Sequence, residues 1–123
     1  MQNMPLVNAG IVAVSRDCFL KSLSINRRKK IIEECRNKNV PIVECETVVE
    51  NEHDVLKALE ELDTKDVNTL VLYLGNFGPE GPLSMLAERF DGPVMLVGAA
   101  EDAGDKLMDD RGDAYCGMLN ASY

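Results

Sequence analysis

Four short apolar runs punctuate this chain, and amphipathic or polar sequence separates them. Residues 8–14, NAGIVAV, are apolar and rich in β-branched side chains, which predicts a first strand. Ser15, Arg16, Asp17 and Cys18 then leave it with polar groups. From 24 to 38 the spacing predicts a helix: Ile25, Ile31, Ile32 and Cys35 can share a face, and Ser24 is placed to cap its start. Residues 40–45 read as a second strand, with Pro41 near its beginning, where a missing N–H disturbs a ladder least. The second helix has a clear entry. Asn51 can cap the free amides, Glu52 and Asp54 suit the positive end of the dipole, and Val55, Leu59 and Leu62 form an i, i+4, i+7 stripe.

Residues 67–74 are the most continuously apolar segment, as expected of a strand covered on both faces. They run into a loop, 75–81, holding three glycines and a proline. A third helix is predicted from Gly81-Pro82, with proline at its first position and Leu83, Leu86, Ala87 and Phe90 on one face. Asp91-Gly92 stops it, 93–97 form a fourth strand, and an acidic connection from Glu101 to Asp110 leads to a last helix beginning near 113. Strands alternating with helices predict an α/β fold, in three layers, with a parallel sheet joined by right-handed crossovers. The expected strand order is 2-1-3-4. It places a topological switch point between the first and third strands, and ligands of open α/β sheets bind at such points.

Size and charge narrow the functional classes. The 123 residues make a single domain, 1–123, with 46% hydrophobic and 28% charged residues, a globular composition. A net charge of −8 argues against nucleic acid as a partner. The basic cluster Arg27-Arg28-Lys29-Lys30 reads as the solvated face of a helix. No apolar run reaches the ~20 residues of a membrane helix, and no signal peptide is evident. The four cysteines have neither disulfide-framework nor zinc spacing, and the lone His53 reads as exposed, so a cytoplasmic chain with reduced thiols is expected. Arg111-Gly112-Asp113 spells an adhesion tripeptide, which we read as coincidence.

Candidate chemistry concentrates on the two loops at the switch point. GNFGPEG offers backbone amides at a helix N-terminus. It lacks the Gly-Lys-Ser/Thr of a Walker loop and the G-x-G-x-x-G of a dinucleotide site. Pattern alone leaves it evenly balanced between a ligand loop and a tight turn. Asn76 and Phe77 at its tip, read as exposed, tilt it towards contact with a polyol or a neighbouring subunit. Arg16 is a surface arginine or an oxyanion or hydroxyl donor, and Asp17 can pair with it or cap the next turn. The third strand ends in Leu-Gly-Asn, without a phosphoacceptor Asp, so a receiver domain fails; SRDCF is no flavin-phosphate loop either. No Ser/His/Asp set, Cys/His pair or metal cluster assembles, and no catalytic residue is assigned.

The stretches GIVAVSRDCF, VLYLGNFGPEGP, ERFDGPVM and RGDAYCGMLNASY resemble the N-terminal region of L-fucose isomerase-like proteins, in the L-fucose and L-arabinose isomerase superfamily. The likeness runs over essentially the whole chain. It implies a flavodoxin-like, Rossmann-like first domain of a multidomain aldose–ketose isomerase, cut here from something longer. It also implies a homo-oligomer in which the first domain leans over a neighbour's active site. Manganese or a similar divalent metal would be held by other domains, with no cofactor on this chain. That ion would assist proton or hydride movement between C1 and C2 of an aldose or ketose substrate. The resemblance gives the sugar contacts to Arg16 and Phe77, with Asn76 beside them. The alternative is a stand-alone, non-catalytic module binding a sugar or phosphate.

Overall fold

The computed structural model describes residues 3–101 and 112–123. Its elements are β1 (Ala9–Val14), α1 (Lys21–Asn37), β2 (Val43–Glu44), α2 (Glu52–Thr64), β3 (Thr69–Leu74), α3 (Glu80–Arg89), β4 (Val94–Gly98) and α4 (Ala114–Ala121). The sheet is parallel throughout, in the order β2-β1-β3-β4. β1 pairs with β3 along its whole length, from Ala9 opposite Thr69 to Val14 opposite Leu74.

The two faces of this sheet are covered unequally. Val12, Val14, Leu70, Leu72 and Leu74 face Val55, Ala58 and Leu62 of α2, Leu83 and Leu86 of α3, and Ala114 of α4. On the other face Ile11 and Tyr73 meet Ile31 and Ile32 of α1. Layers on both sides bury Ile11, Val12, Ala13 and Val14 completely, which explains a strand with no polar alternation.

The helix entries differ from expectation in instructive ways. Asn51 caps α2 as predicted, its side chain accepting from the Asp54 N–H at 3.0 Å. Ser24 does not cap α1, which starts three residues earlier, at Lys21. Ser24 lies fully buried one turn in, and its hydroxyl donates to the Val14 carbonyl at 2.7 Å where β1 ends. Pro82 is the third residue of α3 rather than the first. That position costs no bond either, because the first four amides of a helix have no partner within it.

The basic cluster is the larger correction. Lys29 and Lys30 are solvated, but Arg27 and Arg28 are only 8% and 3% exposed. They continue the inward stripe of Ser24, Ile31 and Ile32, and they reach polar partners that the sheet edge supplies.

β2 is shorter than the predicted 40–45. The Val40 N–H is held by the Cys35 carbonyl, and Pro41 has no N–H to give, so ladder pairing starts at Val43. β1 pairing resumes through a single bridge from Val14 to Val49. β4 and α4 start within a residue of expectation, at Val94 and Ala114. Of the acidic connection 101–110 only Glu101 falls among the described residues, and Arg111 of the adhesion tripeptide also lies outside them.

Candidate functional site

β1 and β3 diverge to their helices at the carboxyl edge of the sheet, so their loops lie side by side there. Asn76 binds them together. Its Oδ1 accepts the backbone N–H of Arg16 at 3.2 Å. Its Nδ2 donates to Ser15 Oγ at 2.8 Å and to the Leu20 carbonyl at 3.3 Å. The residue is fully buried, contrary to the expectation of an amide exposed at the loop tip. The reason is local: the β1–α1 connection presents an N–H donor and, in a hydroxyl and a carbonyl, two acceptors, and an amide side chain answers both kinds.

Phe77 emerges half-buried from the same loop. Phe19, from the β1–α1 loop, lies parallel to it, with centroids 6.2 Å apart and planes within 4°. The Arg16 guanidinium carbon sits 4.5 Å from the centre of the Phe77 ring. Arg16 Nη2 also faces Glu80 Oε1 at 3.6 Å, and the same oxygen accepts from Asn120 of α4. The structure therefore brings Arg16 and Phe77 into contact and sets Asn76 behind them.

A third loop braces the pair. The Phe77 N–H donates to the Gly112 carbonyl at 2.5 Å. Arg27 Nη1 donates to the Gly75 carbonyl at 2.6 Å, and its Nη2 faces Glu101 at 3.5 Å. Glu101 in turn accepts from the amides of Gly112 and Asp113, at 3.1 and 2.7 Å. Gly112 is needed for this approach, because a Cβ there would stand 2.9 Å from both Arg27 Nη1 and the Gly75 carbonyl oxygen.

Arg16 opens onto a cleft of about 520 Å3, lined also by Asp17, Glu50, Asn51 and Pro79. Three strand-to-helix connections thus contribute to one concavity. Another cleft, of about 450 Å3, lies at the opposite end of the sheet between the end of α1 and the start of β2. We place the site at the first, where the connections carry their polar side chains and the N-cap residues of α2 and α3, Asn51 and Pro79, line the cleft.

The connection bearing Glu50 is itself held in shape by Glu61. This carboxylate accepts from the Glu46 and Thr47 amides at 2.6 and 3.1 Å, from Thr47 Oγ1 at 2.8 Å and from Lys65 Nζ at 2.8 Å. Burial opposes the charge on Glu61, but these hydrogen bonds outweigh it and hold the carboxyl at about 2. The bond to Glu61 raises Lys65. Burial, followed by the Glu61 charge, pushes the Cys45 thiol up to about 12, so it stays protonated at neutral pH.

Sequence reasoning passed over Phe19 and Glu80. Phe19 was visible as the one aromatic residue in the exit from β1, and Glu80 as the acidic residue inside the glycine loop. Among the described residues no group of three or more His, Cys, Asp and Glu side chains converges as a metal site requires. The divalent ion implied by the resemblance thus finds no ligand set there, and no step through it is assigned to these residues. Also among them, no helix is long and apolar enough to cross a membrane.

Fold and cleft together define an α/β domain that presents a polar, part-aromatic wall at its topological switch point. The sequence model of the fucose/sulfoquinovose isomerase N-terminal domain matches residues 10–123, and the chain belongs to that family. No curated protein matches it.

Proposed function

We propose that this chain is the sugar-facing first domain of an aldose–ketose isomerase. In that role it encloses the substrate and contributes subunit contacts in a homo-oligomer. The observation that carries the reading is that Arg16, which lines the switch-point cleft, lies over the Phe77 ring, in a chain of this family. An apolar ring suits the C–H face of a sugar, and a guanidinium beside it can donate to hydroxyls without any proton transfer of its own. Asn76 acts from behind, by fixing Arg16 and the loop that carries Phe77. Manganese or a similar ion, and the groups that move hydrogen between C1 and C2, belong to other parts of the assembled enzyme.

In the assembled isomerase, Arg16→Ala should raise KM for the sugar at least about tenfold and leave the bound metal content unchanged. Unaltered sugar kinetics in that variant would remove Arg16 from the substrate. The chain by itself, given manganese, should not turn over sugar. Measurable turnover would overturn the assignment of catalysis to other domains.

A further inference from the structure

The family name joins two sugars of different charge: fucose is neutral at every carbon, whereas sulfoquinovose carries a sulfonate. The charges around the cleft distinguish between them. Asp17 and Glu50 line it together with Arg16, and Glu80 and Lys21 flank it through their ion pairs with Arg16 and Glu50. Both cations are already answered, Arg16 by Glu80 at 3.6 Å and Lys21 by Glu50 at 3.4 Å. Asp17 is exposed and makes no ion pair among the described residues.

α1 begins at this edge with Lys21, which is already paired with Glu50. It is α2 and α3 whose N-cap residues, Asn51 and Pro79, line the cleft, and such N-termini ordinarily attract anions. Here both are taken. The first turn of α2 holds Glu52 and Asp54, with Asn51 Oδ1 on the Asp54 amide, and the first turn of α3 holds Glu80. An incoming sulfonate or phosphate would have to displace Glu80 from Arg16 and then sit near Asp17 and Glu50. A hydroxyl has no such cost. Asn51 Nδ2 is uncommitted among the described residues, and Arg16, with its side chain 35% exposed, retains donors beyond the one facing Glu80.

We infer that this cleft selects an uncharged aldose and rejects sugars bearing a sulfonate or phosphate, with Glu80 and Asp17 as the discriminating residues. The inference rests on the sugar-wall reading above and specifies its substrate class.

The test is a titration of the 15N-labelled chain at low salt with L-fucose, with 6-deoxy-D-glucose, and with sulfoquinovose, which differs from the second only by its sulfonate. The neutral sugars should move the amide signals of Arg16, Asp17 and Asn51. Sulfoquinovose should bind there at least about fivefold more weakly than 6-deoxy-D-glucose. In the double variant Glu80→Gln/Asp17→Asn that gap should close, with the remaining amide spectrum unchanged. If the double variant does not fold, the wild-type comparison decides alone. Sulfoquinovose binding as tightly as 6-deoxy-D-glucose to the wild type, or a gap that persists in a folded double variant, would overturn the inference while the sugar-wall reading stands. If none of the three moves these signals, the sugar-wall reading falls and this inference falls with it.

Discussion

The side-chain oxygen of Asn76 accepts a hydrogen bond from the backbone N–H of Arg16 across sixty positions of sequence, at 3.2 Å. Through it, the third strand's loop decides where the first strand's arginine sits. Asn76 also donates to Ser15 Oγ and the Leu20 carbonyl, so its removal would take the partner from the buried Ser15 hydroxyl and from the Arg16 N–H, while the Leu20 carbonyl keeps the Leu23 N–H. Asn76→Ala should therefore cost about 2–3 kcal/mol, read as a shift in urea midpoint with an unchanged slope. Asn76→Asp keeps the acceptor for Arg16 and loses both donors, so it should fall at least as far. A neutral Asn76→Ala would mean that the two loops hold their positions without it.

Glu61 makes the stability of the fold depend on acid. Its carboxyl has an ordinary value of 4.5 and is held at about 2 when folded, with the side chain only 19% exposed. A depressed folded value adds stability that is complete above the ordinary value and disappears as the pH falls through the folded one. Glu61→Gln should cost on the order of 1–3 kcal/mol at pH 7, and the difference from wild type should vanish near pH 2. Urea unfolding of both proteins at several pH values between those limits checks this. A difference that does not change with pH would assign the effect to packing rather than to charge.

The adjacent arginines of α1 should respond in opposite ways. Arg27 answers the Gly75 carbonyl and Glu101, so Arg27→Met should cost about 3 kcal/mol. Among the described residues Arg28 has one partner, Glu44 at 2.8 Å, and its buried Nε and Nη1 have none. Glu44 is one-third exposed and can be hydrated alone, so Arg28→Met should be neutral or stabilising by up to about 1 kcal/mol. Equal losses from the two substitutions would show that Arg28 is satisfied in solution.

What was legible in the chain follows the same division. Strand order, the four helices and the Asn51 cap come from local pattern and from the handedness of crossovers, and the fold bears all of them out. The polar interior was not legible. Ser24 carries the signature of a cap, and Arg27 and Arg28 that of a solvated face, because sequence periodicity does not reveal which strand-end carbonyls and carboxylates will lie opposite. The site was half visible. Arg16 and Phe77 could be picked as neighbours of the switch point, but the burial of Asn76 depends on groups sixty positions away. Phe19 was visible as an aromatic, but nothing in SRDCFL tells that its ring stacks on one from the loop after β3.

The stack of Phe19 on Phe77, with Arg16 over the latter, means that on the proposed reading the wall is built before any ligand arrives. A preformed contact spares a ligand the cost of ordering those side chains. It also leaves a measurable coupling in the free protein. A double-mutant cycle of Phe19→Leu and Phe77→Leu should give about 0.5–1.5 kcal/mol, and one of Arg16→Met and Phe77→Leu about 0.5–1 kcal/mol. Both are read from urea unfolding of the singles and doubles. If both couplings are zero, the rings and guanidinium move independently, and Phe77 would have to be positioned by the substrate rather than waiting for it.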